Sequence, residues 1–193
     1  MGVANMAHKP DLIVMMGGQG VGKGTFSKML MERRDYDHIE VGAILRTMPA
    51  DSEIGRTIAG GNLVPDELLF DMMRERISNT RDTILDGFPR KLTQAQWLVE
   101  TYATTHNVHV LYLHVPENVL IARINKRIRE GGNRADDANP DVIRRRLELY
   151  RTVTMPAIEW LRTAPHIKFS YINADGDVRD NFAEIITALH QDK

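Results

Sequence analysis

Lys23 sits in residues 17–25, which read G-G-Q-G-V-G-K-G-T directly behind the apolar run 12–16. Glycines at this density let backbone N–H groups close around phosphate oxygens, and a neighbouring lysine adds a compact cation. The amides of Gly20, Val21, Gly22, Lys23, Gly24 and Thr25 are therefore the expected phosphate cradle. Gly24 intervenes where the usual phosphate-loop pattern carries a hydroxyl residue right after the lysine. A second stretch, residues 83–90, reads T-I-L-D-G-F-P-R. Asp86 there can hold magnesium through water, since Mg²⁺ sheds its hydration shell reluctantly, and Arg90 offers a planar fork that matches phosphate oxygens. Taken alone, Asp86-Gly87 is also ordinary turn chemistry. Arg123 and Arg127 lie four apart, so a helix presents both on one face. Arg144, Arg145 and Arg146 are consecutive. Successive helical residues point roughly 100° apart, so one cleft cannot receive all three.

The elements that must hold these groups follow from the apolar pattern. Runs of strand length at 12–16, 38–41, 83–86, 108–115 and 168–172 alternate with helical patterns that begin near Lys23, Gly42, Pro65, Thr93, Pro116, Pro140 and Val178. This rhythm predicts βαβ units and a parallel sheet flanked by helices. Ligands of such sheets sit outside the carboxyl ends of the strands, so Asp86 and Arg90 should face the glycine-rich loop. Two stretches, 47–64 and 128–140, are rich in glycine, proline or polar residues and break the rhythm. They are candidates for excursions that move over a site.

Composition narrows the possibilities. A chain of 193 residues with 42% hydrophobic content fills one core but not two full domains. The net charge of −1 excludes a global basic field for nucleic acid or anionic lipid, so anion binding must be local. Arginine supplies it: 18 Arg stand against 7 Lys, and residues 123–151 hold nine basic groups against five acidic ones. Without cysteine there are no disulfides, thiolate zinc sites or thiol nucleophiles, and the seven histidines show no metal-ligand spacing. Met15, Met16, Met72 and Met73 read as core filler, and Trp97 and Trp160 as packing residues. No segment approaches the roughly 20 apolar residues of a membrane span, so a soluble, cytoplasmic protein is expected.

Four motifs together carry a resemblance. G-x-x-G-x-G-K-G-T, x-x-G-x-x-L-R, D-G-F-P-R with a glutamine four residues on, and R-x-D-D followed by R-R-R-L-x-x-Y resemble the adenylate kinases of the nucleoside monophosphate kinase family, over about residues 11–182 and in family order. The resemblance implies an α/β P-loop kinase fold with a five-stranded parallel sheet flanked by helices. It implies a single domain over residues 1–193, containing a monophosphate-binding segment at 41–70 and a short lid at 127–140. The implied activity is reversible phosphoryl transfer from MgATP to AMP, giving two ADP. By the same resemblance Lys23, Arg90, Arg127, Arg134 and Arg146 stabilise the transferring charge, and Asp86 faces Mg²⁺ through water. ATP would be held by the loop residues Gly20, Val21, Gly22, Lys23, Gly24 and Thr25 together with Arg123, Arg127 and Gly176. AMP would be held by Val41, Arg46, Ile58, Val64, Gly87, Arg90 and Gln94, with Arg134 and Arg146 reaching across. In the family register Arg146 is the member of its run that reaches the site. The implied partners are small-molecule nucleotides, with no nucleic acid, no membrane and no zinc, for a monomer.

The chain also departs from the family's pattern. Glu40-Val41-Gly42-Ala43 stands where S-T-G-D is usual, which removes a hydroxyl at Val41 and a carboxylate at Ala43. Gln19 replaces a proline, Phe26 replaces a glutamine, and the acceptor segment after Arg46 is short. These changes keep other readings open: a kinase of CMP or UMP, or a nucleotide-binding regulatory protein without transfer activity. A kinase of a small non-nucleotide metabolite is opposed by D-G-F-P-R-x-x-x-Q.

Overall fold

Asp11–Met16 (β1) reads D-L-I-V-M-M, and every residue from Leu12 onward is buried. An apolar run without polar alternation is what a strand covered on both faces requires. Leu12, Val14 and Met16 join one core cluster while Ile13 and Met15 join the other, as the two-residue period of a strand dictates. The computed structural model describes residues 9–131 and 139–190. It puts β1 at the centre of a five-stranded sheet with Asp37–Glu40 (β2), Thr83–Asp86 (β3), Asn107–His114 (β4) and Lys168–Asn173 (β5), in the order β2-β3-β1-β4-β5. All neighbouring strands are parallel. Parallel pairs need long crossovers, and helices supply them on both faces.

The crossovers carry Lys23–Met31 (α1), Val41–Arg46 (α2), Glu53–Ala59 (α3), Asp66–Arg76 (α4), Leu92–Tyr102 (α5), Glu117–Arg129 (α6), Pro140–Leu149 (α7) and Met155–Leu161 (α8), and Val178–His190 (α9) follows the last strand. The expected α/β architecture is observed, and the four methionines are buried in the core. Trp97 stacks on Phe70 at 4.4 Å, and Trp160 packs against the same cluster. Among the described residues no helix is long and apolar enough to cross a membrane.

Three details differ from the sequence expectation. Val41 opens α2 instead of closing β2. The stretch 47–64 contains a helix, α3, whose N-cap Ser52 accepts a bond from the Gly55 N–H at 2.9 Å. Gly55 is needed there because a Cβ would lie 2.2 Å from the Pro49 carbonyl oxygen. Third, α7 runs into a π-helical turn, Tyr150–Thr154, before α8. Pro156 lacks an N–H and crowds the carbonyl four residues back, and a widened turn accommodates both effects. Of the expected lid, residues 132–138 lie outside the described residues, and Arg134 is among them.

Candidate active site

The carboxyl ends of β1, β2 and β3 open into a cavity of about 600 Å³, within the range of small-molecule sites. Gly17, Gln19, Gly20, Gly22, Lys23 and Gly24 form its floor. Gly22 takes φ 110°, a left-handed conformation open to glycine at little cost, and caps α1. From there the Thr25 and Phe26 N–H groups bond back to the Gly22 carbonyl at 2.9 and 3.1 Å. The helix thus begins with its N-terminal amides and positive dipole end at the cavity, an arrangement that favours anions. Lys23 Nζ reaches back over the loop and donates to the Gly17 and Gly18 carbonyls at 2.9 and 3.3 Å. The Val21 side chain is buried in the core, its N–H donates to the Gly18 carbonyl at 3.3 Å, and its carbonyl accepts from Arg123 Nη1.

Arginines surround this floor. Arg123 and Arg127 both line the cavity from one face of α6. Arg123 is pinned flat, donating to the Val21 carbonyl at 3.1 Å and the Ala174 carbonyl at 2.9 Å. Arg146 lines the cavity, whereas Arg144 pairs with Asp141 at 2.8 Å and Arg145 with Glu148 at 2.9 Å on the exposed side of α7. Gly176 lies outside the lining; its carbonyl accepts from Asn181 Nδ2 at 3.1 Å. The turn after β5 is tied onto α9 through Asn181, and within it the Ala174 carbonyl accepts from Arg123 Nη2 at 2.9 Å.

On the opposite side Val41, Arg46, Ile58, Val64, Gly87, Arg90 and Gln94 all line the same cavity. Arg46 donates to Glu40 Oε1 at 3.1 Å, and Arg90 Nε donates to the Gly87 carbonyl at 2.9 Å. Gln94 is almost fully buried; its Oε1 accepts from the Arg90 N–H at 2.7 Å and its Nε2 donates to Asp66 Oδ1 at 2.9 Å. Asp86, the last residue of β3, lines the cavity in parallel register with Met15 of β1. Among the described residues no three His, Cys, Asp or Glu side chains gather as a metal cluster. One carboxylate beside an anion cradle nevertheless fits a magnesium ion that keeps its water and takes other ligands from phosphate.

Several lining residues were not among the site residues expected from the sequence, Glu40, Thr154 and Tyr150 among them. Glu40 ends β2 directly beside Asp86 in the sheet register, and only that pairing reveals its place. Thr154, on the π-helical turn, donates to the Arg90 carbonyl at 3.0 Å. Tyr150 shares a hydrogen bond of 3.1 Å with the Tyr112 hydroxyl. Burial, with Tyr112 beside it, pushes the Tyr150 phenol well above its ordinary pKa, so it faces the cavity as a neutral hydroxyl. Pro156, inside an otherwise helical pattern, was the available signal for the turn that brings these two residues in.

Most of the chain is similar to known proteins. The family model for adenylate kinase matches residues 15–165. An adenylate kinase of Bacteroides thetaiotaomicron is 37% identical over 187 residues, covering 92% of this chain and 97% of the relative. One from Porphyromonas gingivalis is 41% identical over 159 residues, covering 77% and 80%. One from Trichodesmium erythraeum is 37% identical over 163 residues, covering 77% and 82%. With a glycine-rich loop, a strand-end aspartate and a ring of arginines around one cavity, and with likeness that spans nearly its whole length, the chain belongs to the adenylate kinase family.

Proposed function

We infer that this protein catalyses reversible phosphoryl transfer from MgATP to AMP, giving two ADP. The observation that carries the reading is the single cavity that joins the phosphate loop to Arg90 and Gln94. Phosphoryl transfer asks little covalent chemistry of a protein; it asks that donor and acceptor be held in line among fixed cations. The loop amides and Lys23 bind the ATP phosphates, with Lys23 Nζ exchanging the Gly17 and Gly18 carbonyls for phosphate oxygens. Arg123 supports the ATP side from its fixed position, and Arg46 and Arg90 grip the acceptor phosphate. Arg127 and Arg146 add charge between the two nucleotides, joined by Arg134. Because the acceptor oxygen is already anionic, no side-chain base is assigned. Asp86 would hold a magnesium ion through its water shell, and the ion would supply neutralisation of the phosphate charge. Val64 and Gln94 form the wall against the acceptor's base.

The test is purified protein with MgATP and, in turn, AMP, CMP, UMP, GMP and dTMP, scored for diphosphate formation. ADP from AMP is the expected product. Transfer to CMP or UMP alone would replace the acceptor assignment, and transfer to none would sink the kinase reading.

A further inference from the structure

Gln94 is held at both ends by groups whose hydrogen-bonding character cannot change. At one end the Arg90 backbone N–H donates to Oε1 at 2.7 Å; at the other Nε2 donates to Asp66 Oδ1 at 2.9 Å. A backbone N–H cannot accept and a carboxylate cannot donate. Turning the amide over would therefore set donor against donor and acceptor against acceptor, in a place only 1% exposed where water cannot make good the loss. Asp66 is itself immobilised, since Oδ1 also takes Lys91 Nζ at 2.7 Å and Oδ2 takes Thr93 Oγ1 at 2.6 Å. The result is an amide with one oxygen lone pair and one N–H remaining, presented in a fixed order.

We propose that Asp66 is a positioning residue that sets base selectivity at the acceptor site by locking the Gln94 amide in one orientation. The inference rests on the reading of this wall as the acceptor's base pocket. A locked amide pairs with an edge that offers an amino N–H beside an unprotonated ring nitrogen, the pattern of adenine and cytosine. Hypoxanthine, guanine and uracil carry a carbonyl beside a ring N–H, the reverse order, and meet the amide donor to donor. A glutamine free to turn over would read both classes, so the discrimination lies in the lock and not in the glutamine alone.

The experiment compares kcat/KM for AMP and IMP, with MgATP, in the wild type, D66A and D66N. IMP shares the ribose and phosphate of AMP, so those contacts cancel in the ratio. The wild type should prefer AMP by about a hundredfold or more. D66A should lose about tenfold of that preference, through a gain on IMP relative to AMP, with KM for ATP unchanged. D66N should keep the preference, because an asparagine Oδ1 still accepts from Gln94 and Lys91 while the charge is gone. A purely structural role would weaken both substrates alike. An unchanged ratio in D66A overturns the proposal, as does a wild type that uses IMP within about tenfold of AMP. The wild-type ratio needs no variant, so the proposal stays falsifiable even if D66A does not fold. Wild-type protein that phosphorylates neither nucleotide would instead overturn the acceptor-site reading beneath it.

Discussion

At the scale of single residues, Lys23 and Glu40 show how much depends on one charge. Lys23 Nζ is already gathered over the loop by two carbonyls, so its positive charge is in place before a phosphate arrives. K23M should lower kcat by roughly a hundredfold or more with the fold intact, measured by a coupled ADP assay beside a thermal unfolding curve. Glu40 acts in the other direction. Its carboxylate holds Arg46 at 3.1 Å, with both side chains about one third exposed, so an acceptor phosphate and Glu40 compete for one guanidinium. E40Q should therefore lower KM for AMP about two- to fivefold, the worth of a partly exposed ion pair, and leave KM for ATP unchanged. A higher KM for AMP would contradict that competition. This glutamate belongs to the E-V-G-A turn that departs from the family, so the altered turn adds a charge where it removes another at Ala43.

Elements decide which of several like residues counts. In α7 the buried side chains are Val142 and Leu147, and this phase sets Arg146 at the edge of the inward face while Arg144 points to solvent. R146A should lower kcat/KM by about a hundredfold, whereas R144A, which loses only an exposed pair with Asp141, should stay within about twofold. Steady-state kinetics on the two variants would reveal any exchange of roles. The π-helical turn matters in a different way. It brings the Thr154 hydroxyl to the Arg90 carbonyl, so one turn of backbone supports an active-site arginine 64 residues away. T154V keeps the shape and removes that bond; urea unfolding should register a loss of about 1–2 kcal/mol.

For the molecule as a whole, Asp66 couples α4 to α5 and so links local titration to global stability. Burial disfavours its charge, but hydrogen bonds from Lys91, Thr93 and Gln94 and the Lys91 charge outweigh this and hold its pKa below the usual carboxylate value. A folded pKa below the unfolded one contributes stability above the unfolded value and loses it as pH falls through the folded one. The gap in urea midpoint between wild type and D66N should thus be full near neutral pH and close below about pH 4. The acid end of the profile is where an unchanged gap would refute the assignment. Local chemistry was legible in the chain: the loop at 17–25, Asp86 at a strand end, Arg123 and Arg127 on one helix face, and the parallel α/β rhythm all follow from residue type and period. Such features depend on neighbours within a turn or two, and sequence spacing records them directly. Glu40 beside Asp86, Thr154 under Arg90 and Asp66 against Gln94 depend on sheet register, a widened helical turn and the meeting of two helices. Those contacts join residues 28 to 64 positions apart or strands paired across the sheet, and only burying both faces of the sheet brings them together.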